Sequence, residues 1–200
     1  MNRNNIMMRQ FQMQARSVEV EGNQEMWLEG YAAVFDSKTC LFSIDGLDYY
    51  EQIAKDSFSE AEMENVIFQY DHEGRVFART TNKTLFLSID EKGLFMRARV
   101  DGTEGGRSLY NDVSNGYITS MSFRFTVKSE AYDQENRTWT ILRFKRLYDV
   151  SAVSIPAYED TSIDARKAEL EKNNKLMQQR TNTEKARLML KLRLEAENEY

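Results

Sequence analysis

The sequence predicts a β-rich α+β domain with a few short helices and a C-terminal helical tail. Three observations carry this. Up to Tyr158, short stretches rich in Val, Ile, Phe, Tyr and Thr alternate with turn residues, as strands do. Beyond Asp160 the chain is dominated by Lys, Arg, Glu, Gln, Asn, Leu and Ala and lacks Gly and Pro, as helices do. The one proline, Pro156, stands just before that change, where a turn would close the β region. The expected division is therefore a domain over 1–160 and a charged tail over 161–200. Many strands with few helices read as a barrel or a curled sheet.

Strands are expected near 11–20, 27–35, 66–71, 84–89, 94–100, 118–127 and 138–153. Residues 84–100 form the clearest hairpin: Leu85, Leu87 and Ile89 alternate on the way out, and Leu94, Met96 and Ala98 on the return. Asp90-Glu91-Lys92-Gly93 supplies the turn. A second hairpin turns at Asp133-Gln134-Glu135-Asn136. Two short helices are expected, over 51–62 from Ile53, Phe58 and Ala61, and over 107–114 from Leu109, Tyr110 and Val113. Asn115-Gly116 fits a helix stop after the second. In the tail, Leu170, Met177, Leu188 and Leu192 form an imperfect apolar stripe. Thr181-Asn182-Thr183 reads as a break, with Thr183 capping a second helix from Glu184. Such a tail is either a solvated helix or a docking segment.

Composition limits the chemistry. With 41% hydrophobic and 12% aromatic residues the 200-residue chain can bury a core. One Cys leaves no internal disulfide framework and no cysteine-cluster zinc site. One His leaves no site built on two imidazoles, so imidazole chemistry falls to His72. A net charge of −5 argues against nucleic-acid binding through bulk charge. No run approaches the roughly 20 apolar residues of a membrane span. The N-terminus has no signal-peptide pattern, and a soluble protein of cytoplasmic origin is the expectation.

Three segments carry candidate chemistry. In 65–74, alternation places Val66, Phe68, Tyr70 and His72 on one strand face, with His72 at its solvent end before Gly74. His72 reads as a structural histidine or as a base; Asp71 and Glu73, pointing the other way, are poor candidates to orient its ring. In 116–125, Thr119, Met121, Phe123 and Phe125 share one face, and Ser120, Ser122 and Arg124 share the other. Two hydroxyls and a guanidinium on one face suit either an exposed strand or a nucleophile. In 146–157, Asp149 is an acid inside an apolar strand and needs a partner. Cys40 lacks a cysteine-protease signature and reads as a small buried thiol.

In this order and spacing, five stretches resemble the prohead (capsid maturation) protease family of tailed bacteriophages, itself related to the herpesvirus maturation protease, assemblin. They are Glu29-Gly30-Tyr31-Ala32-Ala33-Val34-Phe35, residues 51–58, 68–72, 116–125 with its Met121-Ser122-Phe123 triplet, and 149–157. Fifty residues separate His72 from Ser122. Two departures, Asp56-Ser57-Phe58 where the family often has Gly-Ala-Phe and Ala78-Arg79 where it often has Gly-Arg, lie away from these residues.

The resemblance implies an assemblin-like β-barrel and a serine endopeptidase without cofactor or metal. It implies Ser122 as nucleophile, His72 as general base and a downstream acid or polar group that orients His72; Asp149, the acid before the Val-Ser of the last strand, is taken for that group, with another polar group or water as the alternatives. Ser120 is the alternative nucleophile. Arg124, or an arginine of 143–146, would sit near the oxyanion. The implied substrates are the major capsid protein, the scaffold and the chain itself, inside a procapsid in the host cytoplasm. Neither nucleic acid nor membrane is an implied partner, and homo-oligomerisation stays open. The competing readings are a catalytically silent barrel acting as internal scaffold and an unrelated β-barrel binding module.

Overall fold

A computed structural model describes residues 7–12, 14–20 and 23–154, with 166–167, 170, 172, 175, 178–185 and 187 of the C-terminal segment. The chain divides into two compact units, Met1–Asp160 and Thr161–Tyr200. The described elements are β1 (Met7–Gln12), β2 (Gln14–Val20), β3 (Asn23–Val34), β4 (Thr39–Ile44), β5 (Leu47–Ile53), β6 (Ile67–Tyr70), β7 (Glu73–Arg79), β8 (Leu85–Ile89), β9 (Gly93–Arg99), α1 (Glu104–Ser114), β10 (Ser120–Asp133) and β11 (Thr138–Val153).

The strands form two sheets. One has four strands in the order β2-β3-β9-β8. The other has seven, with β1-β10-β11-β5-β4 as its main path and β6 and β7 branching from β11. The expected barrel does not close by hydrogen bonding. β1 and β2 are nearly continuous in sequence, yet β1 pairs with β10 and β2 with β3, so this segment passes from one sheet to the other. The two inner faces share one core. Leu28, Leu94, Met96 and Ala98 of the small sheet and Phe68, Phe123, Phe125, Ile141 and Phe144 of the large one all belong to it. The aromatic centre is tight: the Phe125 and Phe144 rings meet edge-on at 4.9 Å, and Phe58 stacks on Phe144 at 4.2 Å.

Strand β11 is the spine of the large sheet. Along one flank it pairs antiparallel with β10. Along the other, β5 pairs in parallel with 138–141 and β6 in parallel with 149–152. Between them, 54–62 follows β11 as turns, with Ala54 N–H donating to Ile141 O, Phe144 N–H to Ser57 O and Leu147 N–H to Glu62 O. The helix expected over 51–62 is therefore absent. Tyr49, Glu51 and Ile53 are buried in alternation, the period of a strand. β11 supplies the backbone partners that a helix would have supplied internally.

Helix α1 starts earlier than its apolar pattern indicates. Thr103 caps it by accepting from Gly106 N–H at 3.0 Å. It stops where expected. Gly116, at φ +76°, donates to Val113 O, and Tyr117 N–H reaches Asp112 O, the two bonds of a Schellman ending. The hairpins at 90–93 and 133–137 are both present. In the tail the described residues of 178–185 are helical throughout. Thr183 does not cap a new helix; its hydroxyl donates back to Gln179 O at 2.8 Å, one turn earlier. Pro156, Met177, Leu188 and Leu192 lie outside the described residues.

One buried ion pair ties the large sheet together. Arg9 of β1 engages both carboxylate oxygens of Glu51 on β5, with Nη2 2.7 Å from Oε2. Its guanidinium also lies 5.8 Å from the centre of the Phe125 ring. Two strands separate β1 from β5 in the sheet order, so this contact requires a strongly curled sheet. Both side chains are buried. Removing one partner strands a charge, so Glu51→Ala is expected to cost about 3–5 kcal/mol in urea unfolding. Glu51→Gln, which keeps an acceptor, is expected to cost less. A loss under about 1 kcal/mol for Glu51→Ala would show the pair to be dispensable.

Candidate active site

Register decides which side chains share a face. Ser122 of β10 lies opposite Ser151 of β11, and Arg124 opposite Asp149. Directly paired residues point the same way, so these four share one face. Met121 and Phe123 point into the core and are fully buried. The expected two-faced strand is thus present. On the other flank of β11, Gln69 pairs with Ser151, and β6 ends after Tyr70.

His72 reaches this face by a route that alternation does not give. Asp71 and His72 are the two central residues between the paired Tyr70 and Glu73, with φ of 46° and 59°. Two successive left-handed residues make a type I′ turn, whose second position usually holds Gly. The expected continuation of the apolar face through His72 is therefore corrected: the strand stops two residues earlier, and the turn redirects the ring. A side chain in this conformation costs about 1–2 kcal/mol, which other contacts must offset.

Those contacts are specific. His72 Nδ1 lies 2.5 Å from Asp149 Oδ1, and both side chains are buried. The Ser151 hydroxyl donates to the same oxygen at 2.9 Å. An ionised carboxylate only accepts, so this contact assigns the ring proton to Nδ1 and leaves the Nε2 lone pair available. Nε2 is buried and has no hydrogen-bond partner among the described residues. The same holds for Ser122 Oγ, on a residue only 1% exposed. No hydrogen bond joins Ser122 to His72 here; such bonds are often long without substrate and tighten when it binds.

The remaining candidates separate clearly. Asp71 lies in the turn rather than on a strand, and its carboxylate accepts from Ser154 N–H and Ser154 Oγ–H, both at 2.8 Å. Ser120 is half-buried at the start of β10, opposite Val153. Arg124 Nη1 donates to His72 O at 3.0 Å. Arg143 bonds its neighbour Leu142 O, and Arg146 lies over Tyr148 at 5.0 Å. Cys40, expected to be buried, is exposed on β4, two strands from β11. The apolar residues around it belong to an edge strand, which leaves one side uncovered. Among the described residues no cluster of His, Cys, Asp and Glu could hold a metal. Sequence reasoning missed Ser151 and Ser154. Ser151 could have been found from its i+2 spacing to Asp149, which puts both on one strand face.

A model of the caudovirus prohead serine protease family matches residues 11–176. The chain belongs to this family. It is thereby placed among serine proteases of phage capsid maturation. None of the curated proteins compared with the chain matches it. Among solved structures, the capsid assembly protease of bacteriophage T4 is similar, with a TM-score of 0.52 and 13% identity. The match covers 76% of this chain and 98% of that one. At that identity the likeness speaks for a shared β-rich fold. No helix among the described residues is long and apolar enough to cross a membrane.

Proposed function

We propose that the chain is a serine endopeptidase that cleaves capsid and scaffold proteins, and itself, inside the procapsid within the host cell. Ser122 is the nucleophile, His72 the general base and Asp149 the group that orients it. One observation carries the reading. A buried hydroxyl on β10 and a buried imidazole nitrogen in the β6–β7 turn, both without partners among the described residues, flank β11, and the opposite ring nitrogen is held by a carboxylate of β11.

The chemistry follows. Ser122 Oγ attacks the scissile carbonyl carbon while His72 Nε2 takes its proton. Asp149 keeps the other ring proton on Nδ1 and stabilises the imidazolium that forms. The imidazolium then returns a proton to the leaving amine. Water repeats the sequence on the acyl-enzyme and releases the second product. A hydroxyl already buried and unbonded has little water to shed before it reacts. Ser120 lies on the same strand face and is the alternative nucleophile.

A fluorophosphonate probe tests this. Ser122 should gain one phosphonyl group, read by mass spectrometry of its peptide, and His72→Ala should abolish the adduct. Co-expression with the capsid protein should yield cleavage products whose masses define the sites. An unlabelled Ser122 in a folded chain, with capsid protein left intact, would favour the silent-scaffold reading.

A further inference from the structure

The left-handed turn that carries His72 is tied down from both sides, and neither tie touches the imidazole. From the β11 side, Asp71 N–H donates to Ala152 O at 2.8 Å, and both carboxylate oxygens of Asp71 accept from Ser154. From the β10 side, Arg124 Nη1 donates to the His72 carbonyl at 3.0 Å. A non-glycine residue at the second position of a type I′ turn relaxes unless its surroundings hold it. We propose that Arg124 and Asp71 are positioning residues that hold the His72 turn so that Nδ1 stays on Asp149 and Nε2 faces Ser122. This rests on the serine-protease reading above.

Arg124 is well placed for this role. It lies two residues after Ser122 on the same face, so one rigid strand carries both the hydroxyl and the clamp on the histidine backbone. It also sits directly across from Asp149 in the register, where a guanidinium would ordinarily pair with the carboxylate. Among the described residues no ion pair joins them; the Asp149 oxygen goes to His72 and Ser151. Binding the His72 carbonyl holds the guanidinium away from the carboxylate that the ring needs. This differs from service at the oxyanion, where Arg124 would act on substrate directly.

The single histidine makes the test direct. Full-length chain carrying ¹⁵N-histidine has one imidazole, and its hydrogen-bonded Nδ1–H should give one downfield proton signal. Arg124→Met, which keeps the stem but loses the donors, should weaken or abolish that signal. It should also slow the limiting rate of fluorophosphonate labelling about 10- to 100-fold, with half-saturating probe concentration within about twofold of wild type. Arg124→Lys, which keeps a donor, should recover most of both. Asp71→Gly, which keeps the left-handed turn but removes the carboxylate, should also weaken the signal, and it carries the same test if Arg124→Met fails to fold. An unchanged signal in both variants would overturn the proposal, as would an Arg124→Met effect confined to half-saturation. A labelled wild type with an unmoved signal sinks the clamp alone. An unlabelled wild type whose signal still depends on Arg124 sinks the protease reading alone.

Discussion

Ser122→Ala should lower capsid-protein cleavage on the order of 10⁶-fold while making the protein more stable. The first effect follows from removing the attacking atom, which leaves binding and electrostatic stabilisation without a nucleophile. The second follows from the environment of Ser122. Its Oγ is buried without a partner among the described residues, and such a group costs stability that a methyl at the same place does not. A gain of about 0.5–1 kcal/mol in urea unfolding is expected, the familiar exchange of stability for activity. An active Ser122→Ala variant would sink the assignment of the nucleophile. Loss of activity together with loss of stability would show that Ser122 contributes to packing instead. Residual activity in Ser120→Ala is compatible with the proposal.

Asp149→Asn should cost about 10⁴ in kcat with the fold intact. The amide is nearly the same shape but presents N–H groups to the ring as well as an oxygen. Where N–H faces Nδ1, the imidazole must place its own proton on Nε2, and the base can no longer accept from Ser122. Ser151 would keep a hydroxyl partner, so the strand pairing should survive, and circular dichroism should match wild type. With one histidine in the chain, no second imidazole can substitute. Activity within tenfold of wild type would remove Asp149 from the mechanism.

Much of the fold was legible because its strands are half-buried and keep a period of two. Leu94, Met96 and Ala98 alternate in the sequence and are fully buried in β9. Asn115-Gly116 marks a helix ending by a conformation open to glycine, and Gly116 adopts it. The misses have physical causes. Ile53, Phe58 and Ala61 mimic a helical stripe because 54–62 lies along β11 and borrows its hydrogen bonds, which no local pattern encodes. The β4–β5 hairpin was missed although Asp45-Gly46, at φ of 52° and 76°, is the usual two-residue turn signal.

At the candidate site, Ser122 and Arg124 followed from alternation, which holds along β10 at that point. His72 did not, because alternation ends where φ turns positive. Its contact with Asp149 was legible only through the family resemblance. It joins residues 77 positions apart through the parallel β6–β11 pairing, and periodicity says nothing about such partners. The Arg9–Glu51 pair, 42 positions apart, escaped for the same reason.

The parallel pairing of β6 with the far end of β11 also sets a timetable. The histidine turn is synthesised early, but the strand that orders it ends at Val153, eighty-one residues later. Until then the turn lacks Asp149, Ser151 and Ser154, and the first half of the chain can carry no working base. Long-range pairings of this kind form late and slowly. On the proposed chemistry each copy is inert while it is being made, and proteolytic competence arrives with the last strand of the domain. On that reading, a delay before proteolysis is written into the order of the strands.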